Sequence, residues 1–321
     1  MSTTSNRVLA LFGPTACGKT DLLLKLFAAN DRSLKRPVVV ISADSVQVYR
    51  GLDIGSAKPD AGLLRLLPHE LIDVRDPREA FSVGDFVRLA DEACERALAA
   101  GALPVISGGT AFYIKAFMFG LPSAPIASDE QRLAVQDDFK RLGPQAMMEE
   151  LCLVDPMSAS RIEPNDHYRI ARALEVFRAS GKPLSSYRVP TSPRSRWTVL
   201  PLAIERPRSE LYARVEARVD AMMAAGLPQE LACLAAAGLG PDDPGLRAIG
   251  YAEFFAEDAL ATVSGRWEGE GLERVAAAIK LHTRRYAKRQ LTFMRALPGV
   301  LWRHPDDSAR IEADIRAWLG A

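Results

Sequence analysis

Cysteine and histidine are scarce in this chain. Cys17, Cys94, Cys152 and Cys233 lie far apart along the 321 residues and form no C-x-x-C pair, which removes a zinc ribbon or a dithiol redox motif and points to a reducing compartment. His69, His167, His282 and His304 show no H-x-x-x-H spacing, so no histidine-built metal centre is expected. No Ser-His-Asp set is legible. The tryptophans, Trp197, Trp267, Trp302 and Trp318, are scattered, and core packing is their default role. A charge excess is missing too: 41 Lys and Arg face 40 Asp and Glu, a net charge of +1. Any attraction to nucleic acid must therefore come from local patches. No apolar run approaches the roughly 20 residues that span a bilayer, and Met1 to Asn6 is polar. The expectation is a cytoplasmic protein, monomeric and without membrane association.

What is present is enough apolar sequence, 48%, for one large core or two ordinary ones. Short β-branched runs at Val8–Phe12, Val38–Ile41, Pro104–Ile106 and Val199–Ile204 read as buried strands. Helical spacing fills the gaps, at Thr20–Ala29 and Asp85–Ala100. The alternation predicts an α/β fold, a P-loop-type parallel sheet flanked by helices. It breaks between Leu121 and Trp197, where several helical patterns run without a strand, so residues 122–197 are expected to form an inserted all-helical domain. The catalytic core is then discontinuous, 1–121 with 198–321. Its last third is predicted helical at Ser209–Ala225, Leu246–Phe255 and Gly271–Arg295. That final segment is basic on more than one side, with Tyr286 and Phe293 interleaved, which suits phosphate contact.

Gly13-Pro14-Thr15-Ala16-Cys17-Gly18-Lys19-Thr20 fits G-x-x-x-x-G-K-[ST]. The glycines permit a tight loop whose amides face phosphate oxygens, Lys19 adds positive charge, and the Thr20 hydroxyl suits Mg²⁺. Position supports the pattern, since it follows a predicted strand and opens a predicted helix whose positive end faces the anion. In isolation the loop reads as a nucleotide site for ATP or GTP, and it serves too many reactions to name one.

Two further strand ends narrow the choice. Val38–Ile41 leads through Ser42 and Ala43 to Asp44, and ligands in open parallel sheets bind beyond the carboxyl ends of strands. Asp44 is open to three roles: a Mg²⁺ contact, a general base or a turn aspartate. Pro104–Ile106 leads to Ser107-Gly108-Gly109-Thr110, where the glycines allow close approach to a ligand or Thr110 caps a helix.

In order along the chain, these residues resemble the tRNA dimethylallyltransferase (tRNA isopentenyl transferase) family in its shorter bacterial form. The resemblance rests on Gly13–Thr20, Ser42–Pro59, His69–Asp73, and Gly108-Gly109-Thr110 with Tyr113. It continues through Asn165–Arg169, Arg172–Val176, Ile249-Gly250-Tyr251, Thr283-Arg284 and Ala287–Gln290. Three departures stand out: Cys17 where the family usually has Ser, Ser56 for Thr, and Phe81 for Tyr. A thiol is the weaker hydrogen-bond donor and can be oxidised.

The resemblance implies transfer of a dimethylallyl group from its diphosphate to N6 of the adenosine 3′ of the anticodon, with diphosphate released. Gly13, Pro14, Thr15, Ala16, Cys17, Gly18, Lys19 and Thr20 would then cradle a leaving group, with Mg²⁺ on Thr20 and Arg214 a candidate diphosphate contact beside the reading of a surface arginine. An exocyclic amine is a poor nucleophile, so Asp44 would accept its proton, and Thr110 would place the amine or the bridging oxygen. The implied partners are dimethylallyl diphosphate and a tRNA anticodon stem-loop. Contacts to the RNA are implied at Asp44, Ser45, Val46 and Gln47, at Arg132, at Tyr168, Arg169, Ile170, Ala171 and Arg172, and at Arg247, Ala248, Ile249, Gly250, Tyr251 and Ala252. Arg169 and Arg172 fall three apart, on one helix face.

Overall fold

The computed structural model describes residues 6–28, 34, 36–256 and 270–320. Its frame is one six-stranded sheet of order β3-β2-β4-β1-β5-β6, every pairing parallel. β1 (Arg7–Phe12), β2 (Val38–Ser42), β4 (Leu103–Gly108) and β5 (Thr198–Ile204) are the four expected strands. The other two, β3 (His69–Glu70) and β6 (Leu301–Arg303), are edge strands of two and three residues. Such short pieces carry no periodicity, and pairing with β2 and β5 alone makes them strands.

Helices cover the sheet because its central strands are apolar on both faces, as parallel strands joined by crossovers must be. α1 (Lys19–Leu23) runs on as a π-helical turn, Leu24–Ala28, which puts Leu22, Leu23, Leu26 and Phe27 against Leu9, Leu11 and Val40. α2 is Ala61–Leu66 and α3 Val83–Ala99, the latter begun by a capping box in which Ser82 and Asp85 bond each other's backbone N–H. α4 (Ala111–Phe119) follows β4. Between α4 and β5 lie α5 (Asp129–Val154), α6 (Pro156–Ala159) and α7 (His167–Ser180), and after β5 come α8 (Arg208–Ala224), α9 (Leu227–Ala236), α10 (Ala252–Ala256), α11 (Glu270–Arg295) and α12 (Ser308–Leu319). The helix expected over Leu246–Phe255 is broken. A 3₁₀ turn at Pro244–Arg247 gives way to extended Ala248, and Gly250 at φ 102° reverses the chain before α10. Trp267 and Ala29 lie outside the described residues.

The chain forms two compact units, 1–118 with 194–321, and Phe119–Pro193. The second holds α5, α6 and α7 and contains no strand. α5 is two helices, parted at Gly143 (φ 82°) and Pro144. Val135, Met147, Leu151, Ile170, Ala173 and Leu174 make its own core. Arg194 to Trp197, expected at the end of the insertion, instead folds with the sheet unit. Buried Asp91 of α3 accepts bonds from Arg194, Arg196 and the Trp197 indole, and this pulls the returning chain onto the core.

Candidate active site

The carboxyl ends of β1, β2 and β4 are level, with Phe12 beside Gly108 and Ser42 beside Ser107. Backbone bonds lace the loops beyond them: Gly13 N–H to Gly108 O, Ala43 N–H to Ser107 O, and Thr110 N–H to Ala43 O. Gly108 makes that approach possible, since a Cβ there would lie 2.1 Å from the Ala43 carbonyl oxygen. Above these ends opens a cavity of about 920 Å³, lined among others by Lys19, Thr20, Asp44, Gln47, Arg214, Arg218, Tyr286 and Gln290. A cleft of this size at a strand-end crevice suits a small ligand.

The phosphate loop closes with Gly18 at φ 95°, a conformation a side chain resists, and Ala16 also has positive φ, 63°. Arginines stabilise the turn: Arg214 Nε donates to Ala16 O at 2.9 Å, and Arg206 Nε to Cys17 O at 3.0 Å. Carbonyls engaged in this way direct less negative potential at an anion in the loop. Lys19 Nζ reaches the Gly13 and Pro14 carbonyls at 3.0 and 2.9 Å. The Cys17 side chain is fully buried in the core under the loop. Its Sγ accepts from Lys19 Nζ at 3.8 Å, so the thiol meets the loop's lysine rather than solvent, and its burial shields the sulfur from oxidants.

Asp44 sits in a turn of its own making. Its Oδ1 accepts from Val46 N–H at 2.9 Å and from Gln47 N–H at 3.4 Å, and Oδ2 takes no part in these bonds. Thr110 turns its hydroxyl to the same turn, accepting Ser45 N–H at 3.0 Å and donating to Ser45 Oγ at 3.3 Å. Thr110 thus fixes the turn that presents Asp44. Nearby, Tyr113 stacks on Phe86 at 4.4 Å and meets Phe81 edge-on, and burial foremost, then the charges of Tyr49 and Asp44, push its hydroxyl pKa up.

The far wall holds groups that no local motif announced. Burial pushes the Arg218 pKa down, opposed by the charge of Asp44, and its Nη2 reaches Ser56 O at 3.4 Å. A half-buried guanidinium facing a carboxylate across a cavity is an anion-stabilising element. Glu230 of α9 accepts the consecutive N–H groups of Asp53, Ile54 and Gly55 together with the Tyr251 hydroxyl. It therefore shapes the segment whose Ser56 and Ala57 carbonyls hold Gln47 and Arg218. Tyr286 lines the cavity, and burial and then Asp44 raise its pKa.

Of the expected RNA contacts, Asp44–Gln47 and Arg247–Gly250 line the cavity. Tyr251 is fully buried against Glu230, and so cannot offer its side chain to a ligand, while Ala252 begins α10. Arg132, Tyr168, Arg169, Ile170, Ala171 and Arg172 belong to the helical unit. Tyr168 is 80% exposed and Ile170 is wholly in that unit's core. Arg169 pairs at the surface with Asp166, but Arg172 donates to Pro125 O at 3.1 Å and faces Glu175, so the two arginines are not equally available.

The sequence model of the IPP transferase family matches residues 47–297. Among curated relatives, tRNA dimethylallyltransferase 1 of Pelobacter propionicus is 41% identical over 307 residues, 95% of each chain. That of Trichlorobacter lovleyi is 40% identical over 309 residues, covering 96% of this chain and 97% of its own. The crystal structure of the full-length tRNA isopentenylpyrophosphate transferase from Bacillus halodurans superposes with a TM-score of 0.66 at 34% identity, covering 98% of this chain and 96% of that one. Matched along nearly all its length, the chain belongs to the IPP transferase family.

Proposed function

We propose that the protein transfers a dimethylallyl group from dimethylallyl diphosphate to N6 of the adenosine 3′ of the anticodon in tRNA, releasing diphosphate. The observation that carries this reading is one cavity holding both a phosphate loop and the strand-end carboxylate Asp44. The relatives' names, tRNA dimethylallyltransferase, support it.

The residues have separable tasks. The loop amides, Lys19 and Arg214 bind the diphosphate and stabilise the charge that grows on it as the C1–O bond breaks. Arg218 adds charge from the far wall. As the N6–C1 bond forms and the C1–O bond breaks, its electron pair leaving with diphosphate, Asp44 takes one N6 proton, so the alkylated amine is neutral rather than cationic. Thr110 and Ser45 keep the carboxylate in place. The target base must leave the anticodon-loop stack to reach Asp44, and the basic faces of Arg169, Arg132 and α11 supply phosphate contacts for the RNA.

Hard oxygen donors suited to Mg²⁺, Thr20 and Asp44, line the same cavity, while no group of three or more His, Cys, Asp or Glu among the described residues could cage a metal. That donor set fits an ion held largely by diphosphate and water, with Thr20 as its protein contact. When bound, Mg²⁺ supplies further positive charge to the leaving group. No helix among the described residues is long and apolar enough to cross a membrane.

The test is incubation with dimethylallyl diphosphate, Mg²⁺ and an anticodon stem-loop, followed by mass analysis of the nucleosides. Prenylated adenosine at the position 3′ of the anticodon is expected. Labelling of AMP alone, or ATP turnover without prenyl transfer, would overturn the reading.

A further inference from the structure

Gln290 of α11 is 3% exposed, and both ends of its amide are engaged. Oε1 accepts Thr15 N–H at 3.0 Å, from the phosphate loop, and Nε2 donates to Gly109 O at 2.6 Å, on the loop after β4. Bridging a backbone N–H to a backbone carbonyl needs an acceptor and a donor on one side chain, which glutamine supplies and glutamate, lysine or methionine does not. The contact is close: a Cβ on Gly109 would stand 2.6 Å from Nε2. Tyr286, one turn earlier, lines the same cavity and interacts with both Gln290 and Thr110.

We infer that Gln290 is a positioning residue that staples the phosphate loop to the Gly109-Thr110 segment. Thr110 in turn holds Ser45 beside Asp44, so the staple fixes where the diphosphate sits relative to the carboxylate. The inference rests on the proposed reading of the loop as a diphosphate site. Arg214 of α8 also holds the phosphate loop, at Ala16, and Gly13 N–H meets Gly108 O, but Gln290 bonds both loops with one buried side chain, and amide groups left unpaired by a change there would drive the loops apart. Misplacement by about 1 Å costs on the order of 100-fold in rate when reacting atoms must be aligned.

Gln290→Glu, which keeps the acceptor and loses the donor, and Gln290→Met, which keeps the length and loses both, are the variants to compare with the wild type. Titration with inorganic diphosphate and Mg²⁺ reads the loop directly, and steady-state kinetics with dimethylallyl diphosphate and an anticodon stem-loop reads the reaction. Expected are diphosphate Kd and donor KM raised about tenfold, kcat lowered about tenfold more, and RNA KM within about twofold of wild type. A residue that merely stabilised the fold would lower Tm and leave these constants of the folded enzyme alone. Gly109→Ala, which displaces the amide while Gln290 stays, reproduces the pattern and decides the matter if Gln290→Met does not fold. Folded variants with unaltered diphosphate affinity and kcat overturn the staple. Wild-type protein that binds diphosphate yet prenylates no RNA overturns the proposed function and leaves the staple open to the binding measurement.

Discussion

The sheet unit and the helical unit use their inward-facing polar groups in contrasting ways. In the sheet unit such groups join loops far apart in sequence: Gln290 to Thr15, Glu230 to Asp53–Gly55, Arg214 to Ala16. In the helical unit they close local turns or neighbouring helices: Asp155 bonds Ser158 and Ser185, and Arg178 bonds Glu150 and Asp138. A lost polar contact should therefore disturb reaction geometry in the first unit and scaffold stability in the second.

The sharpest break in that comparison comes from Asp44→Asn. The amide keeps an acceptor for Val46 N–H, so the turn survives while the base is lost. kcat should fall by about 10³, with diphosphate affinity within about threefold. A fall of less than tenfold removes Asp44 as the base. Arg218→Met should follow, with a loss of about 100-fold in kcat at little change in RNA KM. An equal change in RNA KM would reassign Arg218 to RNA binding.

The helical unit should answer differently. Asp155 is buried, caps α6 and accepts three bonds, so Asp155→Ala should cost about 1–3 kcal/mol there and leave donor KM unchanged. All four tryptophans lie outside Phe119–Pro193, so a urea melt should show circular dichroism falling before tryptophan fluorescence. Acid sharpens the point. Burial alone would raise the Asp155 pKa, but bonds from Ser158 and Ser185 together hold it below the ordinary carboxylate value. A depressed pKa contributes stability that is complete above about pH 4 and lost as the pH falls through the folded value, so the gap between wild type and variant should shrink below about pH 4. A gap that does not narrow as the pH falls would deny Asp155 this role. The smallest effect belongs to Arg169→Ala: RNA KM up about threefold, and the slope of log affinity against log salt reduced by about 1, with stability untouched. An unchanged slope would separate Arg169 from the RNA phosphates.

The same division governs what could be read from the chain. Gly13–Thr20, Asp44 and Gly108–Thr110 were legible because each is a strand end with its chemistry in consecutive residues. Arg218, Glu230 and Arg206 were not, since their partners lie about 160 to 190 residues away, and packing of α8 and α9, with the pairing of β5 on β1 for Arg206, brings them in. Gln290, Thr15 and Gly109 each stood inside a motif, but no motif said that the three meet. The helix over Leu246–Phe255 failed at extended Ala248 and at Gly250, whose left-handed backbone overrides apolar spacing. The burial of the Cys17 side chain was not legible, because a loop motif specifies positions and not which side chains turn under the loop.

The clamp at Asp91 carries a consequence for how such a chain can be rearranged. Arg194, which Asp91 holds, donates its own N–H to Met118 O at 2.8 Å, so the strands of chain leaving and rejoining the sheet unit stand one hydrogen bond apart. Whatever lies between them closes a loop whose ends are already together. Lengthening that loop costs little, about 0.6 kcal/mol per doubling. The segment is thus an exchangeable cassette: a short turn or another module with closely spaced ends can replace it while the sheet keeps its closure.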